Sequence, residues 1–281
     1  MTFRTRFAPS PTGPLHLGHA YSALMTHDRA RVKNGDFFLR LDDIDQSRAR
    51  QHWADQIQDD LTWLGIHWDG EIWSQNDRSR HYSDALQYLI EKDLIYPCVC
   101  TRRDISVAAN APQEGAPLIG PDGQIYPGTC RNLVFSEPLD QAAYRLNMRK
   151  AVERIENKQI TFHDDGVVHK RSVDEMVTCI GDVVLARKGM TAAYHLAIVV
   201  DDAEQNITDI VRGEDLREAT FIHVLLQSLL GFTTPQYHHH SLIRDENGKR
   251  LAKRDDARAI TKYRAEGYTP LDIRRLVGLI D

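Results

Sequence analysis

The chain has 281 residues, a hydrophobic fraction of 42% and a formal net charge of -5, which fits one large soluble domain or two ordinary ones. No apolar run approaches membrane-spanning length, no signal-peptide pattern opens the chain, and the net negative charge gives no global sign of nucleic-acid binding. A cytoplasmic protein is expected, with its four Cys reduced or metal-bound rather than paired as disulfides.

Phe3 to Ala8 reads as a short strand, and the Pro- and Gly-rich segment after it, Pro9 to Pro14, as a turn. His16-Leu17-Gly18-His19 then opens an amphipathic run from Ala20 to Lys33. The first amides of a helix lack partners and carry the positive end of its dipole, so this corner is a natural anion site. Two imidazoles three residues apart fall on one side of the turn, and Gly18 leaves room for a phosphate or a flat ring against the backbone. Asn34-Gly35 should stop the helix.

Phe37 to Leu41 reads as a buried strand ending in Asp42-Asp43-Ile44-Asp45. Open α/β sheets bind ligands at the carboxyl ends of their strands. Asp42 is therefore a candidate for holding an ammonium group, and Asp45 for a turn or cap. Helical spacing follows between Arg48 and Leu64 (Trp53, Ile57, Leu61, Leu64), and again between Arg78 and Lys92. Strand, helix, strand, helix, helix is how a parallel α/β sheet begins.

The texture changes at Tyr96. Cys98 and Cys100 are followed by a helix-like stretch from Thr101, a Gly/Pro-rich loop from Asn110 to Gly128, and Cys130. Three Cys so arranged suggest a tetrahedral zinc site with one further ligand, for which Tyr126, His163 and Cys179 are all candidates. Tyr144 to Met148, Ile160 to His163 and Val167 to His169 look like short strands of an inserted domain. Val183 to Ala186 and Tyr194 to Val200 read as buried strands that rejoin the first sheet. Ile210 to Asp215 places Arg212 near a strand-to-helix junction, facing the same cleft, before a helix that runs through Leu230 to Gly231. The run His238-His239-His240 belongs to structure, because neighbours on a strand face opposite ways and cannot share one ion.

Asn247-Gly248 marks a turn. Arg250-Leu251-Ala252-Lys253-Arg254 after it makes a cationic loop able to close over phosphates. Two helices, Ala257 to Gly267 and Pro270 to Ile280, finish the chain. From Arg244 to Arg275 there are ten Lys or Arg against six Asp or Glu, which on charge alone reads as an ordinary solvated helical face.

Taken together these residues resemble the glutamate branch of the class I aminoacyl-tRNA synthetases. His16-Leu17-Gly18-His19 is similar to the first class signature, and Arg250 to Arg254 to the second, usually Lys-Met/Leu-Ser-Lys. Arg6 to Gly13, Leu39 to Asp45 and Ile210 to Asp215 resemble other segments of that branch. Within it, the length and the Cys98, Cys100, Tyr126, Cys130 pattern resemble the short paralogue family, the glutamyl-queuosine tRNA(Asp) synthetases. The chain departs from the pattern at Asp42, usually Glu, and at Arg250 and Ala252, usually Lys and Ser.

The resemblance implies an α/β fold: a Rossmann-like parallel-sheet catalytic domain split as 1–95 and 183–243, an inserted zinc-bearing α+β domain at 96–182, and a signature loop with a small C-terminal helical region at 244–281. No anticodon-binding domain is expected. It implies that ATP, with Mg2+, activates L-glutamate without tRNA, and that the glutamyl group passes to queuosine at the wobble position of tRNA(Asp). His16, Gly18, His19 and Lys253 would serve ATP, with His16, His19 and Lys253 catalytic. Arg6, Phe7, Ala8, Pro9, Ser10, Asp42, Tyr194 and Arg212 would hold glutamate. Cys98, Cys100, Tyr126 and Cys130 would hold one structural Zn2+, so the resemblance selects Tyr126 as fourth ligand. A monomer without membrane contact is expected. Three other readings remain: a truncated glutamyl-tRNA synthetase that charges a tRNA 3′ end, a small-molecule nucleotidyltransferase, and a catalytically silent zinc-bearing RNA-binding module. The Cys-bearing insertion and the Arg6/Arg212 pair weigh against the nucleotidyltransferase, and intact His16, His19 and Lys253 against the silent module.

Overall fold

The computed structural model describes residues 2–109, 119–133, 142–243 and 258–280. They fall into two compact units, Met1–Asp77 with Asn206–Asp215 and Pro235–Asp281, and Arg78–Gln205 with Leu216–Thr234.

In the first unit, strand β1 (Arg4–Phe7), helix α1 (Leu17–Val32) and strand β2 (Asp36–Leu41) form a parallel strand pair with its crossover helix, in register from Arg4↔Asp36 to Phe7↔Leu39. Helix α2 (Gln51–Trp63) leads to the short strand β3 (Trp73–Ser74), parallel to the end of β2. After Arg78–Gln205 the chain returns as β4 (Asp209–Gly213) and, after Leu216–Thr234, as β5 (Gln236–His240), again parallel. The Arg4 N–H donates to the Thr208 hydroxyl at 2.8 Å, and the Thr208 N–H to the Arg4 carbonyl at 2.9 Å. Those bonds put β4 beside β1 and give the spatial order β3-β2-β1-β4-β5 of a doubly wound sheet.

Small residues let α1 lie close to this sheet: Ala20, Ala23, Leu24 and Ala30 are buried with Phe7, Phe37 and Leu39. The stop after α1 has a steric cause. Asn34 takes a positive φ of 50°, and a Cβ on Gly35 would come within 2.2 Å of the Phe3 carbonyl oxygen. Helices α3 (Ile260–Ala265) and α4 (Pro270–Leu276), with the Val277 cap that follows, add Ile260, Ile273 and Val277 to the same core. The Thr269 hydroxyl caps α4, Pro270 sits in its first turn and Asp272 completes the capping box.

The second unit contains a three-stranded antiparallel sheet, Ala143–Leu146 between Ile95–Cys98 and Val184–Ala186. A hairpin, Gln159–Asp164 with Val167–Ser172, turns at Asp165-Gly166, both with positive φ. Two sequence expectations are corrected here. Val184–Ala186 does not rejoin the parallel sheet; it pairs antiparallel with Ala143–Leu146. The run Tyr194 to Val200 is not a strand but opens a helix, Tyr194–Glu204, packed against the helices Ser79–Glu91 and Thr220–Leu230. His195 to Asp202 are all buried, so the helix has no polar face whose period could be read. Its one fully buried carboxylate, Asp201, accepts from Arg78 Nε at 2.6 Å and from the Tyr82 hydroxyl at 2.9 Å. Among the described residues no helix is long and apolar enough to cross a membrane.

In the first unit, Asp60 on α2 is fully enclosed, and burial, helped by the charge of Asp59, pushes its carboxyl up to about 6. The folded chain therefore holds this proton more tightly than the unfolded one. Its destabilising contribution grows as pH rises from about 4 through the folded value, and is complete above it. Asp60→Asn should raise the melting temperature by several degrees at pH 7.5 and by much less at pH 4.5. Calorimetry at the two pH values measures the difference, and equal shifts would contradict the assignment.

Candidate active site and metal centre

The first unit gathers its charged residues at the carboxyl ends of its strands. Arg6 lies near the end of β1, Arg212 near the end of β4, and Asp42 directly follows β2. Both arginines are buried, and Asp42 Oδ1 lies 3.6 Å from Nε of the fully buried Arg40. Arg212 donates from Nε to His239 Nε2 at 3.2 Å, and its guanidinium lies over the Tyr237 ring. The segment after β1 is held by main-chain bonds, Asp42 N–H to the Pro9 carbonyl at 3.1 Å and Arg50 N–H to the Pro11 carbonyl at 3.0 Å. Phe7, Ala8, Pro9 and Ser10 therefore run past the β2 end as a fixed rim. Asp43 and Asp45 are committed locally: Asp43 accepts from Ser74 and Asn76, and Asp45 from Ser47.

The two histidines are part of the helix start itself. His16 caps α1, with Nδ1 accepting from the Gly18 N–H at 3.1 Å, while the His16 N–H donates to His19 Nδ1 at 3.2 Å. The ring centroids are 3.8 Å apart. Because each Nδ1 accepts from the main chain, each neutral ring carries its proton on Nε2. The pair is thus built to donate from Nε2 beside a helix N-terminus, which suits an anion. The Ile260 N–H donates to the Leu15 carbonyl at 2.9 Å, and Ala259 forms an antiparallel bridge with His16. The chain that follows the Arg250–Arg254 stretch therefore returns to the His16 corner. Lys253 and the rest of that stretch lie outside the described residues.

In the second unit Cys98, Cys100 and Cys130 bring their sulfurs within 4.8 Å of one another, and among the described residues they form the one such group of His, Cys, Asp or Glu. The Tyr126 hydroxyl lies 3.3 Å from Cys98 Sγ and 3.4 Å from Cys100 Sγ, and accepts from the Cys130 N–H at 2.9 Å. A tetrahedron of zinc–sulfur and zinc–oxygen bonds has edges of about 3.5–3.8 Å, so four such donors at these separations fit a small thiophilic cation. Burial and the neighbouring thiols push Cys100 up to about 11. Burial and the three thiols likewise lift Tyr126 above the ordinary phenol range. His163 and Cys179 are not in the group.

Residues 2–280 match the family described as tRNA synthetases class I (E and Q), catalytic domain. The chain is 55% identical to the glutamyl-Q tRNA(Asp) synthetase of Rhodobacter capsulatus, covering 98% of this chain and 99% of that one. It is 38% identical to the protein of the same name from Rhodopirellula baltica, covering 96% and 82%. The chain belongs to the glutamyl-Q tRNA(Asp) synthetase family. It is therefore an aminoacyl-tRNA synthetase-like ligase. Its structure is similar to a glutamate tRNA ligase from Elizabethkingia meningosepticum, crystallised with its amino acid, with a TM-score of 0.78 and 27% identity over 99% of this chain. It spans 60% of that ligase's length. A methionyl-tRNA synthetase from Mycobacterium tuberculosis, 12% identical with a TM-score of 0.60, shares the fold.

Tyr194, expected beside glutamate in this family, begins a helix of the second unit with its ring edge-on to His195 and His223. Among the described residues of the basic C-terminal stretch, Arg258 pairs with Glu266, Arg264 with Asp59, Arg274 with Asp28 and Arg275 with Asp272. Sequence reasoning missed Asp182, which organises the neighbourhood of the Cys group. One carboxylate oxygen accepts from the Tyr96 hydroxyl at 2.5 Å and Arg131 Nε at 2.8 Å, the other from the Met148 N–H at 2.8 Å. No sequence pattern marks a buried Asp whose donors lie 34 to 86 residues away.

Removing the Asp182 carboxylate would strand these donors, the Arg131 guanidinium among them. Asp182→Ala should destabilise the protein by ~3 kcal/mol or more. Urea titration followed by tryptophan fluorescence measures it, and a loss below about 1 kcal/mol, the scale of one ordinary hydrogen bond, would show that the carboxylate is not the anchor.

Proposed function

We propose that this ligase activates L-glutamate with ATP in the absence of tRNA and then glutamylates queuosine at the wobble position of tRNA(Asp). The observation that carries the first half is the strand-end site: two buried guanidiniums and the Asp42 carboxylate, its side chain 9% exposed, beside a helix start with two Nε2-donating imidazoles. Guanidinium pairs carboxylates bidentately, so Arg6 and Arg212 suit the carboxylates of glutamate. The Phe7 to Ser10 rim lines the pocket, and Asp42 takes the ammonium.

His16 and His19 donate to ATP phosphates, Gly18 allows close approach, and Lys253 meets the charge that develops on pyrophosphate. Mg2+ accompanies ATP. An oxygen of the glutamate α-carboxylate attacks the α-phosphorus, the bond to the bridging oxygen breaks, and pyrophosphate leaves with its electrons. Such displacements depend on in-line positioning and charge stabilisation more than on covalent help from the protein. The second half rests on the name of the Rhodobacter relative, matched over nearly its whole length. A hydroxyl of the queuosine cyclopentene-diol attacks the activated carbonyl, AMP departs, and an ester remains. The RNA is held partly through its phosphates, so binding weakens with salt.

We assign the Cys98, Cys100, Tyr126 and Cys130 group to one structural Zn2+, which would cross-link the strand Ile95–Cys98 to the loop carrying Tyr126 and Cys130. All four positions are then filled by protein, so the ion supplies stability rather than chemistry. Elemental analysis should find one zinc per chain, lost in Cys98→Ser and retained in Cys179→Ser. Equal loss in both would contradict the ligand set.

The transfer is tested by incubating tRNA(Asp), with and without queuosine, with glutamate and ATP and weighing the digested nucleosides. Glutamate should appear on queuosine, and it should still do so when the terminal adenosine of the tRNA has been removed. Labelling that requires that adenosine and ignores queuosine would make the protein a 3′-end-charging synthetase instead.

A further inference from the structure

Arg212 and His239 face each other across the parallel ladder of β4 and β5 as register partners. Both are buried, with 6% and 8% of their surface exposed, and Arg212 Nε donates to His239 Nε2 at 3.2 Å. Tyr237, two residues earlier on the same face of β5, is fully buried. Its ring is parallel to that of His239 and lies 5.2 Å below the Arg212 guanidinium. An arginine side chain has many rotamers, and fixing one needs partners on more than one side. Here Tyr237 gives the guanidinium a floor, and His239 gives it a wall.

A ring nitrogen that accepts from arginine carries no proton, so His239 is neutral with its proton on Nδ1. The bond also commits the Nε edge of Arg212, which leaves carboxylate recognition to the terminal Nη groups. We infer that His239 is a positioning residue for glutamate: it holds the Arg212 guanidinium in the orientation in which Nη1 and Nη2 meet a substrate carboxylate. This rests on the reading of Arg212 as a glutamate-binding residue. His239 touches no substrate in this scheme and acts through Arg212 alone.

The test is glutamate-dependent ATP–pyrophosphate exchange on the full chain, with KM for glutamate and for ATP measured separately. His239→Leu removes the acceptor and should raise KM for glutamate about tenfold or more, the effect of losing a hydrogen bond to a charged group. KM for ATP should stay within about twofold, a shift too small to reflect a lost contact of that kind. His239→Gln places Oε1 near the position of Nε2 and should restore glutamate KM to within about threefold, less than one ordinary hydrogen bond. Should His239→Leu not fold, His239→Ala makes the same comparison without added bulk. The double variant with Arg212→Ala should bind glutamate no worse than Arg212→Ala alone, because the two residues act as a unit. If Arg212→Ala leaves glutamate KM unchanged, the reading of Arg212 falls and the positioning role with it. If Arg212→Ala raises it and His239→Leu does not, the positioning role alone is overturned. Equal increases for glutamate and ATP in both His239→Leu and His239→Gln would reduce His239 to a structural residue and overturn it as well.

Discussion

The main-chain bond from the Asp42 N–H to the Pro9 carbonyl, 3.1 Å long, is where the first unit stops being a sheet and the candidate site begins. The β1–β2 ladder ends at Phe7↔Leu39; beyond it the chain after β1 leaves the sheet, while β2 runs on to Leu41 against β3. Pro9, Pro11 and Pro14 offer no N–H, so the segment depends on neighbours that donate to its carbonyls. Asp42 and Arg50 supply two of those bonds and the Ile260 N–H a third, at Leu15. The rim, the strand-end carboxylate and the capped histidines are therefore parts of one hydrogen-bonded corner.

Charge is concentrated there at some cost to folding. Arg6, Arg40 and Arg212 are all buried in strands, where water cannot solvate them. Arg212 is supported by a neutral imidazole and an aromatic face, and Arg40 by Asp42. A buried cation held this way keeps a strong field in a poorly screened place, which suits an anionic group such as a carboxylate. The same logic fits the His pair, whose main-chain bonds orient the rings before any ligand arrives.

The second unit solves a different problem. The segment around Cys98, Cys100, Tyr126 and Cys130 buries only a small apolar cluster with Ile105. Polar contacts do much of the work there. Asp182 gathers Tyr96, Arg131 and the Met148 amide, and the Arg145 guanidinium lies 3.9 Å from the centre of the Tyr126 ring. Each group reaches its neighbour from a different stretch of chain, so the cluster constrains loops that hydrophobic packing alone would leave loose.

Signals that act within a few residues were legible in the sequence. The His16-Leu17-Gly18-His19 helix start, the Asn34-Gly35 stop, the short strands at Ile160 to His163 and Val167 to His169 and the helix that begins at Pro270 each depend on local chemistry, and the structure forms them there. The gathering of charged residues at strand ends followed from the order of strands and helices. What the sequence could not carry was which distant segment completes each element. Tyr194–Glu204 reads as a strand because burial on every side erases helical periodicity, and only its packing between two other helices makes it a helix. Val184–Ala186 looks like any buried strand, and its antiparallel partner is set by three-dimensional proximity. Asp182 and His239 carry no local mark at all. Their roles arise from hydrogen bonds to residues at least 27 positions away, and that distance is closed only by the tertiary fold.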